Sequence, residues 1–348
     1  MRAAFYERLG PARDVLQVGD LPLPEPAPGE VRVRVDSSGI NPSDVKSRMG
    51  RRVKEMPFPR VIPHSDGAGV IHAVGAGVRS ARLGERVWVW NAARGRPHGT
   101  ACEYLCLPEE QAVVLPEQTS YEAGACLGIP ALTALNAVLM DGGVAGKTVM
   151  VAGGAGAVGH YAVQFASLLG ATRVIASAST SQKAELTHQA GADHVVLYKS
   201  EPLAERVLDI TQGRGVDRVI EVDISANAAA DLKILKTGGE CVIYGSGMDK
   251  LELPFSQLLH RNIQLKFFIV YHLALSDRAR AVAPQLKLLY VCVRELFQSS
   301  LTKVGHEVAL DTADIRVVRS LASARVNLLS QFCQHKLGKL CKRLCLVC

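Results

Sequence analysis

Aromatic residues are scarce in this chain of 348 residues: Phe, Trp and Tyr together make 5%, with two Trp. Nucleic-acid surfaces stack bases on aromatics set among clustered cations. The body of the sequence has no such basic stripe, so nucleic acid is not an expected partner. Long apolar runs are missing too. None approaches the roughly 18 residues that suggest a membrane span, and no membrane partner is expected. The first residues, Met1-Arg2-Ala3-Ala4-Phe5-Tyr6-Glu7, have no long apolar core and carry an early acid, unlike an export leader. The expected location is cytoplasmic. The nine cysteines, an odd number, then read as reduced thiols.

The formal net charge of +7 is unevenly spread. Gln285 to Cys348 holds ten Lys and Arg against four Asp and Glu, which leaves the rest near neutral. Five cysteines (Cys292, Cys333, Cys341, Cys345, Cys348) lie in the same stretch. A basic, Cys-rich tail is the reading, not a basic surface.

What is present is an ordinary globular composition, 48% apolar and 21% charged, long enough for two domains. The first third reads as strands and turns. Glu30-Val31-Arg32-Val33-Arg34-Val35 alternates apolar and charged residues, the mark of a strand with one wet face. Glu85–Trp90 and Glu103–Leu107 read as further strands, and the Pro-rich stretch Leu21–Pro28 as an extended loop. The texture changes near Tyr121: Gly124–Val138 reads as a helical segment. Short apolar strands follow at Thr148–Ala152, Arg173–Ser177, His194–Leu197, Asp217–Val222, Glu240–Tyr244 and Gln264–Val270, most of them separated by helices. Six strands alternating with helices imply a doubly wound parallel sheet.

Gly154-Ala155-Gly156-Ala157-Val158-Gly159 follows the first of these strands and opens a helix. In that setting the first glycine permits a tight turn, the second lets backbone approach a pyrophosphate, and the third lets helix and sheet pack closely. The helix N-terminus offers unpaired N–H groups to phosphate. NAD sites usually place an acid at the end of the second strand, about 20 residues on. Here Ala176-Ser177-Ala178-Ser179-Thr180-Ser181-Gln182-Lys183 has none. Hydroxyls and a lysine would accept a 2′-phosphate that a carboxylate would repel. NADPH is the expected cofactor.

Four stretches resemble the zinc-independent quinone oxidoreductase and zeta-crystallin branch of the medium-chain dehydrogenase/reductase superfamily. They are Gly39-Ile40-Asn41-Pro42-Ser43-Asp44, Gly67-Ala68-Gly69-Val70-Ile71, Gly128-Ile129-Pro130-Ala131-Leu132-Thr133-Ala134, and the glycine loop with its preceding strand. The similarity runs from Met1 to about Ala283. It implies an α/β protein: a GroES-like β-rich catalytic domain over 1–125, a Rossmann NADPH-binding domain over 126–270, and a return to the catalytic domain over 271–348. NADPH is implied in the cleft between domains. By the same resemblance Asn41 stands beside the nicotinamide, Asp44 supports its loop, and Thr133 contacts the same region. Ser179, Lys183 and Tyr198 form the 2′-phosphate site. Gly245, Ser246, Phe268, Ile269 and Val270 flank nicotinamide and ribose. Lys46 stands where relatives often carry Tyr, and would stabilise a developing oxyanion or point to solvent.

Zinc-dependent members of the superfamily use a Cys on the Asn41 loop and a Gly-His-Glu motif. Here the loop has no Cys, the motif reads Pro63-His64-Ser65-Asp66, and Trp90–Thr100 lacks the four-cysteine lobe. A catalytic zinc needs three converging protein ligands, so no metal is expected, and His64 reads as a core or cleft histidine. A substrate that accepts hydride unaided is then implied: a small-molecule quinone, or alternatively an α,β-unsaturated carbonyl in an alkenal or enoyl reductase. A non-catalytic NADPH-binding structural or RNA-binding protein is the rival of another class. Relatives imply a homo-oligomer, dimer or tetramer. Beyond Ala283 the resemblance stops. Cys341, Cys345 and Cys348 with His335 offer soft metal or redox ligands, and the stretch also reads as a basic segment for acidic partners. The preferred reading is a tail out of register with the family, as a frameshift would leave it.

Overall fold

The computed structural model describes residues 1–52 and 54–272. The readings placed on the tail, and on a return to the catalytic domain, lie outside the described residues. The chain forms two compact units that divide after Pro130.

In the first unit β1 (Arg2–Phe5) and β2 (Gln17–Asp20) pair antiparallel around the short helix α1 (Ala12–Val15). There follow β3 (Glu30–Gly39), α2 (Pro42–Arg48), β4 (Asp66–Val74), β5 (Arg86–Val89), β6 (Tyr104–Pro108), β7 (Ala112–Val114) and α3 (Tyr121–Gly124). These strands form an antiparallel sheet in the order β6-β3-β4-β5-β7. Alternation along β3 buries Val31 and Val33 against Ile71, Val87, Leu105 and Leu107. Arg32 departs from the expected wet face and is 7% exposed. Its guanidinium donates to Pro24 O at 2.9 Å and to Glu25 at 2.8 Å. The Pro-rich stretch therefore covers that part of the face, which the alternation of β3 alone does not reveal.

In the second unit α4 (Leu132–Leu139) precedes β8 (Thr148–Val151), α5 (Ala157–Leu168), β9 (Arg173–Ala178), α6 (Ser181–Gln189) and β10 (His194–Leu197). Then come α7 (Leu203–Ile210), β11 (Val216–Glu221), α8 (Ile224–Ile234), β12 (Leu235–Ile243), α9 (Phe255–His260) and β13 (Gln264–Phe267). All neighbours in the six-stranded sheet β10-β9-β8-β11-β12-β13 run parallel. The order reverses between β8 and β11, the switch point where α/β sheets open a ligand crevice at their carboxyl ends. Met150, Ile175, Val196, Val219 and Ile243 lie in its core.

Two elements differ from the sequence reading. The helix expected over Gly124–Val138 is interrupted by a π-helical turn at Leu127–Ala131 with Pro130 inside it. Proline has no N–H to continue the α ladder. The last strand ends at Phe267, and Val270–His272 forms a 3-10 turn.

Arg218, fully buried on β11, ties α4 to the sheet. It donates to Ala137 O (3.1 Å), Val138 O (2.8 Å) and Met140 O (2.6 Å), carbonyls at the end of that helix. It also pairs with Glu240 at 2.8 Å, which Lys147 and Lys266 pair with as well. Burial would raise the Glu240 carboxyl, but the three cations outweigh it and hold it at about 2. A depressed carboxylate contributes stability above its unfolded value and loses it as pH falls through the folded one. Glu240→Gln should therefore lower the urea midpoint at pH 7. Its deficit against wild type should shrink between about pH 4.5 and pH 2, as parallel urea titrations would record.

Candidate functional site

The glycine loop lies at the carboxyl end of β8, beside the switch point. The positive φ of its turn falls on Gly153 (+66°), one residue before the hexad. Gly154 serves packing instead: a Cβ there would meet Thr187 Cγ2 at 2.6 Å and Ala176 Cβ at 2.8 Å. A Cβ on Gly159 would fall on the carbonyl oxygen of Gly153, so close helix–loop contact fixes that glycine. Gly156 is the N-cap of α5 and offers no side-chain cap; Gly156 and Ala157 are exposed, Ala155 and Val158 half-buried. The first-turn N–H groups of α5 thus have no side-chain acceptor at the cap, which fits a phosphate. Ser177, which the sequence reading passed over, secures the loop. Its Oγ accepts from Gly153 N at 3.0 Å and its carbonyl from Gly154 N at 2.9 Å.

The parallel register sets Leu197 opposite Ala178, so Ser179 and Tyr198 leave the sheet at the same end of neighbouring strands. Ser179 is half-buried and Tyr198 exposed. Thr180 caps α6 by accepting from Lys183 N, and the Lys183 side chain is exposed one turn into the helix. No acid lies between Ser177 and Lys183.

A cavity of about 450 Å³ opens at the carboxyl ends of β12 and β13. Gly245, Ser246, Phe268 and Ile269 line it, joined by Tyr244 and His272, which the sequence reading did not single out. Val270 is buried and lies outside the lining. Thr133 is buried in the first turn of α4.

In the first unit Asn41 begins α2. Its N–H donates to Asp44 Oδ2 at 2.7 Å, and Asp44 N returns a bond to Asn41 O at 3.0 Å. Burial pushes the Asp44 carboxyl up to about 6, against the Asn41 N–H and the Arg52 and Arg48 charges. The Asn41 side chain donates through Nδ2 to Asp66 Oδ2 at 2.7 Å. The other oxygen of Asp66 accepts from Ile129 N at 2.9 Å, and its carbonyl accepts from Thr100 Oγ1 at 2.5 Å. A Cβ on Gly128 would fall on that carboxylate. Burial pushes the Asp66 carboxyl up to about 8, opposed by its two donors and helped by Asp44. Asp66 is thus a buried strut between the Asn41 loop and the π-helical turn, a role the sequence did not reveal. Lys46 is exposed on α2. His64 is half-buried, with φ +76°, and its Nδ1 lies 2.9 Å from Ser38 Oγ. Burial and Arg48 both lower its proton affinity.

These residues do not fit a zinc centre. Both Asp66 oxygens are engaged by Asn41 and Ile129, and the Asn41 loop offers no Cys to join His64. Among the described residues no three His, Cys, Asp or Glu side chains come together as metal ligands, and no helix is long and apolar enough to cross a membrane.

Residues 27–117 match the alcohol dehydrogenase GroES-like domain family and residues 157–287 the zinc-binding dehydrogenase family. The chain is similar to the quinone oxidoreductase of Homo sapiens, 32% identical over 249 residues, covering 71% of this chain and 73% of the relative. Among solved structures it resembles an NAD-dependent alcohol dehydrogenase, with 30% identity and a TM-score of 0.73, over 83% of this chain and 89% of the other. It also resembles a mycobacterial protein complexed with NADPH, with 27% identity and a TM-score of 0.72, over 89% and 91%.

Proposed function

The chain belongs to the quinone oxidoreductase, zeta-crystallin-like branch of the medium-chain dehydrogenase/reductase superfamily, and we propose that it is an NADPH-dependent reductase that delivers hydride to a quinone without a resident zinc. The observation that carries NADPH is the carboxylate-free exit of β9: Ser179, Thr180 and Lys183 stand where an NAD site would place an acid. The first-turn N–H groups of α5 would hold the pyrophosphate, and Gly245, Ser246, Phe268 and Ile269 the nicotinamide end. When bound, the reduced nicotinamide supplies the hydride. Asn41 directs its amide into Asp66, so its contribution is to hold its own loop rather than to move a proton. Lys46 is exposed, and water screens the charge it offers to an oxyanion. A quinone suits such a site, because the electrons end on a conjugated oxygen and rate comes mainly from positioning.

The test is NADPH oxidation by a quinone, followed before and after treatment with a chelator. Turnover should survive the chelator; its loss would remove the zinc-free reading, and no oxidation with any quinone would remove the activity. Lys183→Glu should weaken NADPH by about tenfold, roughly 1.4 kcal/mol, while NADH changes little. Equal losses for both coenzymes would show that the phosphate site is misplaced.

A further inference from the structure

Two acids of the second unit are absent from the scheme above. Glu221 ends β11 and Asp231 lies in the third turn of α8; both are buried, 0% and 2% exposed. Their carboxyls are within hydrogen-bond reach of each other. Yet Glu221 Oε2 and Asp231 Oδ2 are both buried without a partner. An ionised carboxylate only accepts hydrogen bonds. Two such acceptors side by side in a dry core would each lack a donor and would repel.

We propose that Glu221 and Asp231 share a single proton, and that this proton holds the Val222–Asp223 turn and the Gly245–Gly247 loop in the shape that binds the coenzyme. The second half rests on the reading of the cavity under Proposed function. The connection is a chain of bonds. Glu221 Oε1 accepts from Asp223 N and from Asn227 Nδ2, the latter at 2.9 Å. Asp223 Oδ1 in turn accepts from Gly247 N at 2.7 Å and from Ser225 Oγ at 2.5 Å. Gly245 and Ser246, just before Gly247, line the cavity. Glu221 is the member that both meets the proton and holds the turn, so it is a positioning residue for the loop.

The surroundings favour a neutral partner. Burial, then the charge of Glu221, pushes the Asp231 carboxyl up to about 9. From β12, Cys241 faces both acids, its thiol pushed up by burial and by both of them. After β12, Tyr244 faces Glu221, its phenol pushed up by burial and by that charge. Neither can neutralise the pair. On α7, packed against α8, Glu205 and Arg206 are exposed and paired with Lys233 and Glu201, and Asp209 is exposed. Among the described residues no lysine or arginine forms an ion pair with Glu221 or Asp231.

A carboxyl whose value is raised on folding binds a proton that the unfolded chain has released. Its stabilisation is complete below the unfolded value and is lost as pH rises through the folded one. The coenzyme-competent loop, by contrast, should persist until the proton leaves, at about pH 9.

Infrared spectroscopy of the full chain tests the proton itself. At pH 7 buried Asp66 is protonated as well, so the pair is read by difference: wild type minus Asp231→Asn and wild type minus Glu221→Gln should each show a buried protonated-carboxyl band, since each variant brings its own donor. Urea titrations should show the folding equilibrium of wild type falling relative to Asp231→Asn by up to about tenfold per pH unit between pH 6 and 8. A flat carboxyl region in both difference spectra would overturn the shared proton. Fluorescence titration with NADPH tests the loop. From pH 7 to pH 10 wild-type affinity should fall by about tenfold, and in Asp231→Asn the fall should be under about twofold, by the population of the competent state. Equal falls in the two proteins would overturn the positioning role. If wild type bound no NADPH at any pH, the reading of the cavity would fail, and the infrared and urea results would still decide the proton.

Discussion

Asp66→Ala is expected to cost about 2–6 kcal/mol of stability, since two buried donors, Asn41 Nδ2 and Ile129 N, would each lose the acceptor that this carboxylate supplies. Removing a carboxyl that burial already penalises offsets part of this and favours the lower end. Turnover should suffer more than folding. The Asn41 loop and the π-helical turn are both held by this one side chain; if Asn41 stands beside the nicotinamide, as proposed, a displacement of about 1 Å there can cost a hundredfold in rate. Asp66→Asn separates the two effects. The amide keeps one acceptor but presents a donor to a donor, so it should fold better than the alanine variant and still turn over slowly. Thermal unfolding and steady-state kinetics on both variants would decide it. Unaltered turnover in a folded Asp66→Ala protein would remove the strut from any functional account.

The second large effect belongs to the glycine loop, and it distinguishes a ligand site from a tight turn. Gly159→Ala puts a methyl group on the carbonyl of Gly153, an overpacking that should cost about 1–3 kcal/mol. Gly156→Ala puts one 3.2 Å from that oxygen, at an ordinary φ of −79°, and should change stability by about 0.5 kcal/mol or less. If a pyrophosphate sits on the N-terminus of α5, the order reverses for binding. The Gly156 variant should then lose at least about tenfold in coenzyme affinity, roughly 1.4 kcal/mol, with its folding nearly intact. Calorimetric titration beside thermal melts would check this. Normal binding in Gly156→Ala would mean that the turn serves packing alone.

Local pattern made the strands legible: alternation marks β3, where Val31 and Val33 are buried, and an unbroken apolar run marks β8, where Val149, Met150 and Val151 are all buried. The glycine hexad was legible because its strand and helix adjoin it in sequence. What escaped notice depends on residues far apart. Asp66 meets Asn41 across 25 positions and Ile129 across 63. Arg32 looked solvated because nothing local says that Pro24 will lie over it. Gly153 was visible as a doubled glycine, but only backbone angles show that it, not Gly154, carries the turn. The π-helical turn at Leu127–Ala131 had a local warning in Pro130, outweighed by the helical character of the residues around it.

The adjacency of β8 and β11 bears on how the chain emerges during synthesis. Thr148 and Asp217, bonded across these two strands, are 69 positions apart. At about 5–20 residues per second, β8 leaves the ribosome several seconds before that neighbour exists. β9 can cover one edge early, while the other edge, with Val149 and Val151, waits bare. A nascent chain halted in that interval should therefore be an apt client for a holdase chaperone.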